Sequence, residues 1–185
     1  MPAPIPLTYP NPRLTDGMVV LRPWTDADLD DLVRMHDDPD VARFTPLATP
    51  YTATNARRML DAVLGRLLSG EELALAVEVD GGGAVGSIGV RPDDLDREVA
   101  DVGYVVAADA RGRGIATRAV RLVAAWALAE WRLARLQLTM DEANAASARV
   151  AQQAGFTREG VLRSWAENRG RRVDLVMWSQ LPGDR

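Results

Sequence analysis

Val102-Gly103-Tyr104-Val105-Val106-Ala107-Ala108-Asp109-Ala110 runs into Arg111-Gly112-Arg113-Gly114-Ile115-Ala116-Thr117, and then into an apolar-periodic segment that ends near Glu130. The order reads as a buried strand, a glycine-rich turn and an amphipathic helix. Ile115, Ala119, Leu122, Val123 and Trp126 fall at helical spacing and predict the helix's core face. Such a turn leaves backbone N–H groups unpaired at the positive end of the helix dipole, a place for phosphate or pyrophosphate. Gly112 and Gly114 remove the Cβ atoms that would hold an anion off the backbone, and Arg111 and Arg113 add positive charge at the rim.

Three phosphate ligands compete for this turn. A P-loop needs G-x-x-x-x-G-K-[ST], and the chain contains no lysine. A dinucleotide fingerprint needs G-x-G-x-x-G. Here Thr117 takes the third glycine's place, Asp141 lies too far downstream to serve the ribose, and the strand-helix repeats are missing. The coenzyme A loop, R/Q-x-x-G-x-G/A, is matched at every position by Arg111-x-x-Gly114-x-Ala116. The stretch thereby closely resembles motif A of the GNAT acetyltransferases. A plain glycine turn before a helix is the bland alternative.

Composition allows this. The chain has 185 residues, 47% hydrophobic and 26% charged, which is ordinary for one globular domain. A net charge of −4 argues against a nucleic-acid binder and fits, faintly, an amine substrate. With no cysteine and one histidine, a disulfide scaffold, a cysteine nucleophile, a thiolate metal site and a His-rich metal site are all excluded, so no metal is expected. The proline-rich start lacks the basic and apolar regions of a signal peptide, and charges interrupt the apolar run Ile115 to Leu138. A cytoplasmic protein without a membrane partner is the expectation.

Outward from the central stretch, residues 1–12 hold five prolines and predict an extended arm, leaving 13–185 as a single domain. Strands are expected at Met18–Trp24, Leu73–Val79, Ala84–Val90, Glu98–Ala107, Leu133–Met140, Phe156–Arg163 and Arg172–Ser179. Helices are expected after the Thr25 cap, at Thr52–Leu68, from Ile115, and at Asn144–Ala154 with Gly155 as its stop. Arg91–Arg97 reads as a polar loop, and Glu167–Gly170 as the loop of the last hairpin. The order β-α-α-β-β-β-α-β-α-β-β predicts an α/β (α+β) fold. It is also the order of the GNAT fold, and the likeness implies a mixed, mostly antiparallel central sheet with helices on both faces.

A second motif, Asn144-x-x-Ser147 running to Gly155-Phe156, resembles the other half of that family's signature, in its RimJ/RimL branch. The likeness implies acetyl-CoA as acyl donor and a primary amine as acceptor, either a protein N-terminus or a small molecule, acetylated by direct attack. It also implies a strand that splays from its neighbour, with Val105, Val106 and Ala107 along the pantetheine arm and the Val105 N–H at the thioester oxygen. Gly112, Arg113, Gly114, Ile115, Ala116 and Thr117 follow Arg111 in the pyrophosphate loop. Asn144 touches the pantetheine besides capping its helix.

Many family members carry a tyrosine seven residues after that asparagine; here the position is Ala151. Ser147 is left as the general acid toward sulfur, its alternative being a first-turn hydroxyl bonded to backbone. Asp101 stands where some members keep a basic glutamate, with a solvated strand carboxylate as the alternative. Glu98, Glu167 and Asp174 are weaker candidates. The missing tyrosine keeps a second class open, a non-catalytic acyl-CoA-binding module.

Of the remaining features, His36 sits on a face with Leu29, Leu32 and Val33 and reads as a core-edge residue. Trp24, Trp126 and Trp131 read as core, and Trp165 as a shaper of the acceptor pocket. Arg169-Gly170-Arg171-Arg172 reads as a solvated hairpin tip, with no nucleic acid expected. A monomer or a homodimer is equally compatible with the sequence.

Overall fold

A computed structural model describes residues 7–94 and 98–184, without the side chains of 93 and 94. The strands are β1 (Leu14–Thr15), β2 (Val19–Arg22), β3 (Leu73–Val79), β4 (Ala84–Asp94), β5 (Val99–Val106), β6 (Arg135–Asp141), β7 (Thr157–Asn168) and β8 (Arg171–Gln180). The helices are α1 (Leu29–His36), α2 (Pro39–Phe44), α3 (Ala53–Leu68), α4 (Ile115–Glu130) and α5 (Ala145–Gln153). The strands form one sheet in the order β1-β2-β3-β4-β5-β6-β8-β7, antiparallel except for β5 and β6. The parallel pair follows from the long β5–α4–β6 crossover.

Local chemistry accounts for the ends. Thr25 and Asp28 form a capping box before α1, and Thr52 and Asn55 form another before α3. Asp38 caps α2, whose first residue is Pro39, a helix absent from the expected elements. Arg91–Arg97 was expected as a loop, yet β4 continues to Asp94, while residues 95–97 lie outside the described residues. Pro92 is tolerated because β3 ends opposite Val90, so the missing N–H faces no strand.

The core lies on both sides of the sheet. Six of the seven β3 residues are buried, so the strand is covered on both faces. One cover is α1 packed on α3, and the other is α4 packed on α5. The buried face of α4 is Ile115, Ala119, Val120, Val123, Ala124 and Ala127. Leu122 and Trp126, expected at its centre, lie half-buried at its margin, because small alanines let α4 sit close to the sheet.

The described part of the N-terminal arm lies against the domain. Residues 7–10 form no helix or strand, but Leu7 is only 6% exposed and joins the core, with Tyr9 packed against it. Residues 1–6 of that arm lie outside the described residues. His36 is buried, with its ring against Tyr51 and Nδ1 2.9 Å from the Leu32 carbonyl. Burial holds its pKa below the usual histidine range.

Candidate functional site

β5 and β6 pair only at Val99–Arg135, Ala100–Leu136 and Asp101–Gln137. Beyond these, β5 stays on β4 as far as Val106, and β6 stays on β8 as far as Asp141. The sheet therefore opens into a wedge with Asp101 at its apex. Its β5 wall exposes backbone groups that the sheet no longer satisfies, which makes it a template for a ligand's amides.

Register decides which amides those are. The Ala107 N–H donates to the Val85 carbonyl at 2.9 Å, and alternate residues of a strand point the same way. The Val105 N–H therefore faces β4, where Ser87 is its partner. The wedge receives the Val102 carbonyl, both backbone groups of Tyr104 and the Val106 N–H, while the Val102 N–H still meets β6 at Gln137 and the Val106 carbonyl accepts from Arg111 Nε. The N–H aimed at the wedge is thus displaced by one residue from the expected Val105.

The glycine-rich turn delivers its amides as expected. Gly112 and Gly114 have φ of +76° and +75°, a left-handed conformation that admits glycine at little cost. Gly114 caps α4, and the first helical bond runs from the Arg118 N–H to the Gly114 carbonyl. The amides of Ile115, Ala116 and Thr117 precede that bond and point out of the helix end. Ile115 and Thr117 are buried, and the Thr117 hydroxyl donates to Gln153 Oε1 at 3.2 Å, tying α4 to α5.

Arg111 behaves differently from a rim charge. Its guanidinium pairs with Asp38 at 2.9 Å and Asp40 at 3.1 Å, and its Nε donates to the Val106 carbonyl at 3.1 Å. It braces the loop against α2. Arg113 remains at the exposed rim, 4.0 Å from Asp80. An open groove of about 790 Å³ continues from the loop along α4, lined by Gly114, Thr117, Arg118, Arg121, Trp126 and Gln153.

Across the wedge, Asn144 caps α5 by accepting from the Ser147 N–H at 3.0 Å. Ser147 lies half-buried in the first turn, on the side of buried Ala151 and Ala154. Its hydroxyl oxygen is 2.7 Å from that of Tyr104, which the sequence reading passed over. Burial pushes the Tyr104 pKa up to about 12, and the bond to Ser147 offsets part of that rise. The available signal was a phenol in the strand whose edge opens.

Asp101 is half-buried, with Gln137 Nε2 3.4 Å from its carboxylate. It opens onto a cleft of about 340 Å³ lined by Arg91, Pro92, Val102, Gly103 and Thr139. The weaker candidates lie elsewhere. The Glu98 carbonyl accepts from Ala134 and Arg135, Asp174 holds the Ser164 N–H at 2.7 Å, and Glu167 is exposed. Trp165 is 60% exposed at an irregularity of the β7–β8 pairing.

The Arg169–Arg172 tip is not simply solvated. Arg169 donates to the Ala42 carbonyl at 2.9 Å and to Thr49 Oγ1 at 2.8 Å, and Asn168 donates to the Arg43 carbonyl at 3.0 Å. Free carbonyls at the α2 end draw the cation in.

The acetyltransferase (GNAT) domain model matches residues 18–157. The chain belongs to the GNAT acetyltransferase family. It is 26% identical over 165 residues to the uncharacterized N-acetyltransferase p20 of Bacillus licheniformis, covering 88% of this chain and 92% of that protein. Its fold is similar to Mycobacterium smegmatis RimJ in complex with CoA-disulfide, with a TM-score of 0.81, 24% identity, and coverage of 92% and 85% of the two chains. It is also similar in fold to the ribosomal-protein-S5-alanine acetyltransferase of Vibrio fischeri, with a TM-score of 0.80, 18% identity, and coverage of 93% and 97%.

As a GNAT enzyme the chain is an N-acetyltransferase that uses acetyl-CoA. Among the described residues no helix is long and apolar enough to cross a membrane, and no group of three metal-binding side chains forms.

Proposed function

We propose that this chain acetylates the free α-amine of a protein or peptide, using the wedge between β5 and β6 as its reaction site. The wedge with Asp101 at its apex carries this reading. Pyrophosphate would rest on Gly112, Gly114 and the amides of Ile115, Ala116 and Thr117, with Arg113 at the rim and Arg111 bracing the loop. The adenosine end would follow the groove along α4. The pantetheine amides would pair with β5 through Val102, Tyr104 and Val106, with Val105 and Ala107 holding that strand to β4 and Asn144 fixing the α5 end.

Three chemical needs then have a candidate each. Asp101 attracts the incoming ammonium and takes its proton, directly or through water. The Tyr104 N–H meets the developing oxyanion. Ser147 donates its hydroxyl proton toward the departing sulfur. With no cysteine to form a covalent intermediate, the amine attacks the thioester directly. The acceptor enters from the Asp101 cleft, which opens outward beside Arg91 and Thr139. A peptide terminus fits an open cleft of this kind, and the fold's likeness to the Vibrio fischeri enzyme supports it. Residues 13–185 would act as one catalytic domain in the cytoplasm, with Leu7 and Tyr9 of the preceding segment packed onto its core.

The test is acetyl-CoA binding by calorimetry, followed by free-thiol release with peptides bearing N-terminal alanine or serine and with small amines. Binding and peptide-dependent release are expected. Release with small amines alone would overturn the peptide acceptor. Absence of binding would overturn the role of residues 111–117, and binding without release on any of these amines would overturn the α-amine acceptor.

A further inference from the structure

We infer that Tyr104 is a positioning residue for the leaving-group step: its phenol donates to Ser147 Oγ across the wedge and turns the Ser147 proton toward the coenzyme A sulfur. The inference rests on Ser147 being the sulfur's donor, as proposed above. Two hydroxyls 2.7 Å apart share one proton, so the pair presents a single O–H outward. A phenol is a stronger acid than an aliphatic alcohol and is the better donor of the two. With Tyr104 donating, the outward proton is that of Ser147.

Position supports the same reading. Tyr104 stands on the β5 wall and Ser147 on the α5 side, so their bond spans the opening where the pantetheine arm would end. A helical serine otherwise turns its hydroxyl back to a carbonyl of the preceding turn. Tyr104 offers Ser147 Oγ a donor on the wedge side, which holds the rotamer inward. The phenol thus restores, from a strand, a hydroxyl that Ala151 cannot supply from the helix.

The step balances without an ionised tyrosine. The ammonium gives one proton to Asp101, directly or through water; the neutral amine bonds to the acetyl carbon, and the second nitrogen proton leaves to water as the tetrahedral oxyanion collapses. The C–S bond breaks and its electron pair goes to sulfur. Ser147 then hydrogen-bonds the thiolate. A thiol ordinarily titrates near pH 8.5, far below the buried phenol, so Tyr104 keeps its proton throughout.

The experiment is a double-mutant cycle of Tyr104→Phe and Ser147→Ala. Thiol release is followed with acetyl-CoA and an N-terminal alanyl peptide, or with whichever small amine turns over in its place. Each single change is expected to lower kcat about tenfold, with acetyl-CoA Kd within about twofold of the parent. The double variant is expected to be no slower than Ser147→Ala alone. Ser147→Thr, which keeps a hydroxyl, should retain most of the rate and its sensitivity to Tyr104→Phe. If Ser147→Ala is slow but Tyr104→Phe is not, Tyr104 has no such role and the Ser147 reading survives. Equal losses from Tyr104→Phe with and without Ser147 overturn the inference as well. An unaffected Ser147→Ala overturns the reading beneath it. Should Tyr104→Phe fail to fold, Tyr104→Leu, which also lacks a donor, takes its place in the cycle, with the same outcomes.

Discussion

Gly114 carries two duties at one position. Its φ of +75° lets the chain turn from the loop into α4, and the turn aims the following amides outward. A Cβ there would meet nothing within 4 Å, so the cost of a side chain is conformational and not steric. Gly114→Ala is therefore expected to lower stability by about 1 kcal/mol, because a left-handed alanine is disfavoured by about that amount. Relief of that strain would rotate the helix-end amides, and acetyl-CoA Kd is expected to rise at least about fivefold. Calorimetry and thermal unfolding measure the two effects separately. The glycines and Asn144 were legible in the sequence because they are local devices; the bracing role of Arg111 was not, because Asp38 and Asp40 lie 73 and 71 residues away. Tyr104 was not, because its partner lies 43 residues away and only the fold brings them to 2.7 Å.

At the scale of elements, α2 is a short strap between two arginines. Arg111 holds Asp38 and Asp40 at its start, and Arg169 holds the Ala42 carbonyl near its end. A six-residue helix has little stability of its own, so these contacts set its position. Arg169→Ala is expected to speed amide hydrogen exchange over residues 42–49 while leaving acetyl-CoA Kd within about twofold. Exchange read by mass spectrometry checks this, and an unchanged rate would remove Arg169 from any role in ordering that segment. The strands and longer helices were legible from periodicity. The strap was not, because Asp37-Asp38-Pro39-Asp40 fits a turn as well as it fits a cap, and the anchoring carbonyls have no sequence signature.

For the whole molecule, the absence of lysine simplifies alkaline behaviour. Between pH 10 and 12 the side chains that titrate are Tyr9, Tyr51 and Tyr104. Burial raises all three above their ordinary value, Tyr104 to about 12. A raised pKa in the folded state means that the unfolded chain loses its proton first. The stability from this source is complete below pH 10 and is lost as pH rises toward 12. For Tyr104 the loss is on the order of 3 kcal/mol, from a shift of about two units. Denaturant unfolding of the parent should show the fall, and Tyr104→Phe should flatten the part due to that residue.

The sequence by itself determined the strand-turn-helix at Val102–Glu130, the α5 cap at Asn144 and the order of the longer elements, though not β1 or α2, because glycine conformation, capping and apolar spacing act over a few residues. Tertiary structure alone decided where β5 leaves β6, that the wedge receives the amides of Tyr104 and Val106, and that Tyr104 meets Ser147. Register is the physical reason. A strand alternates its backbone donors between two neighbours, and which residue faces which neighbour is fixed by long-range pairing that no local pattern encodes.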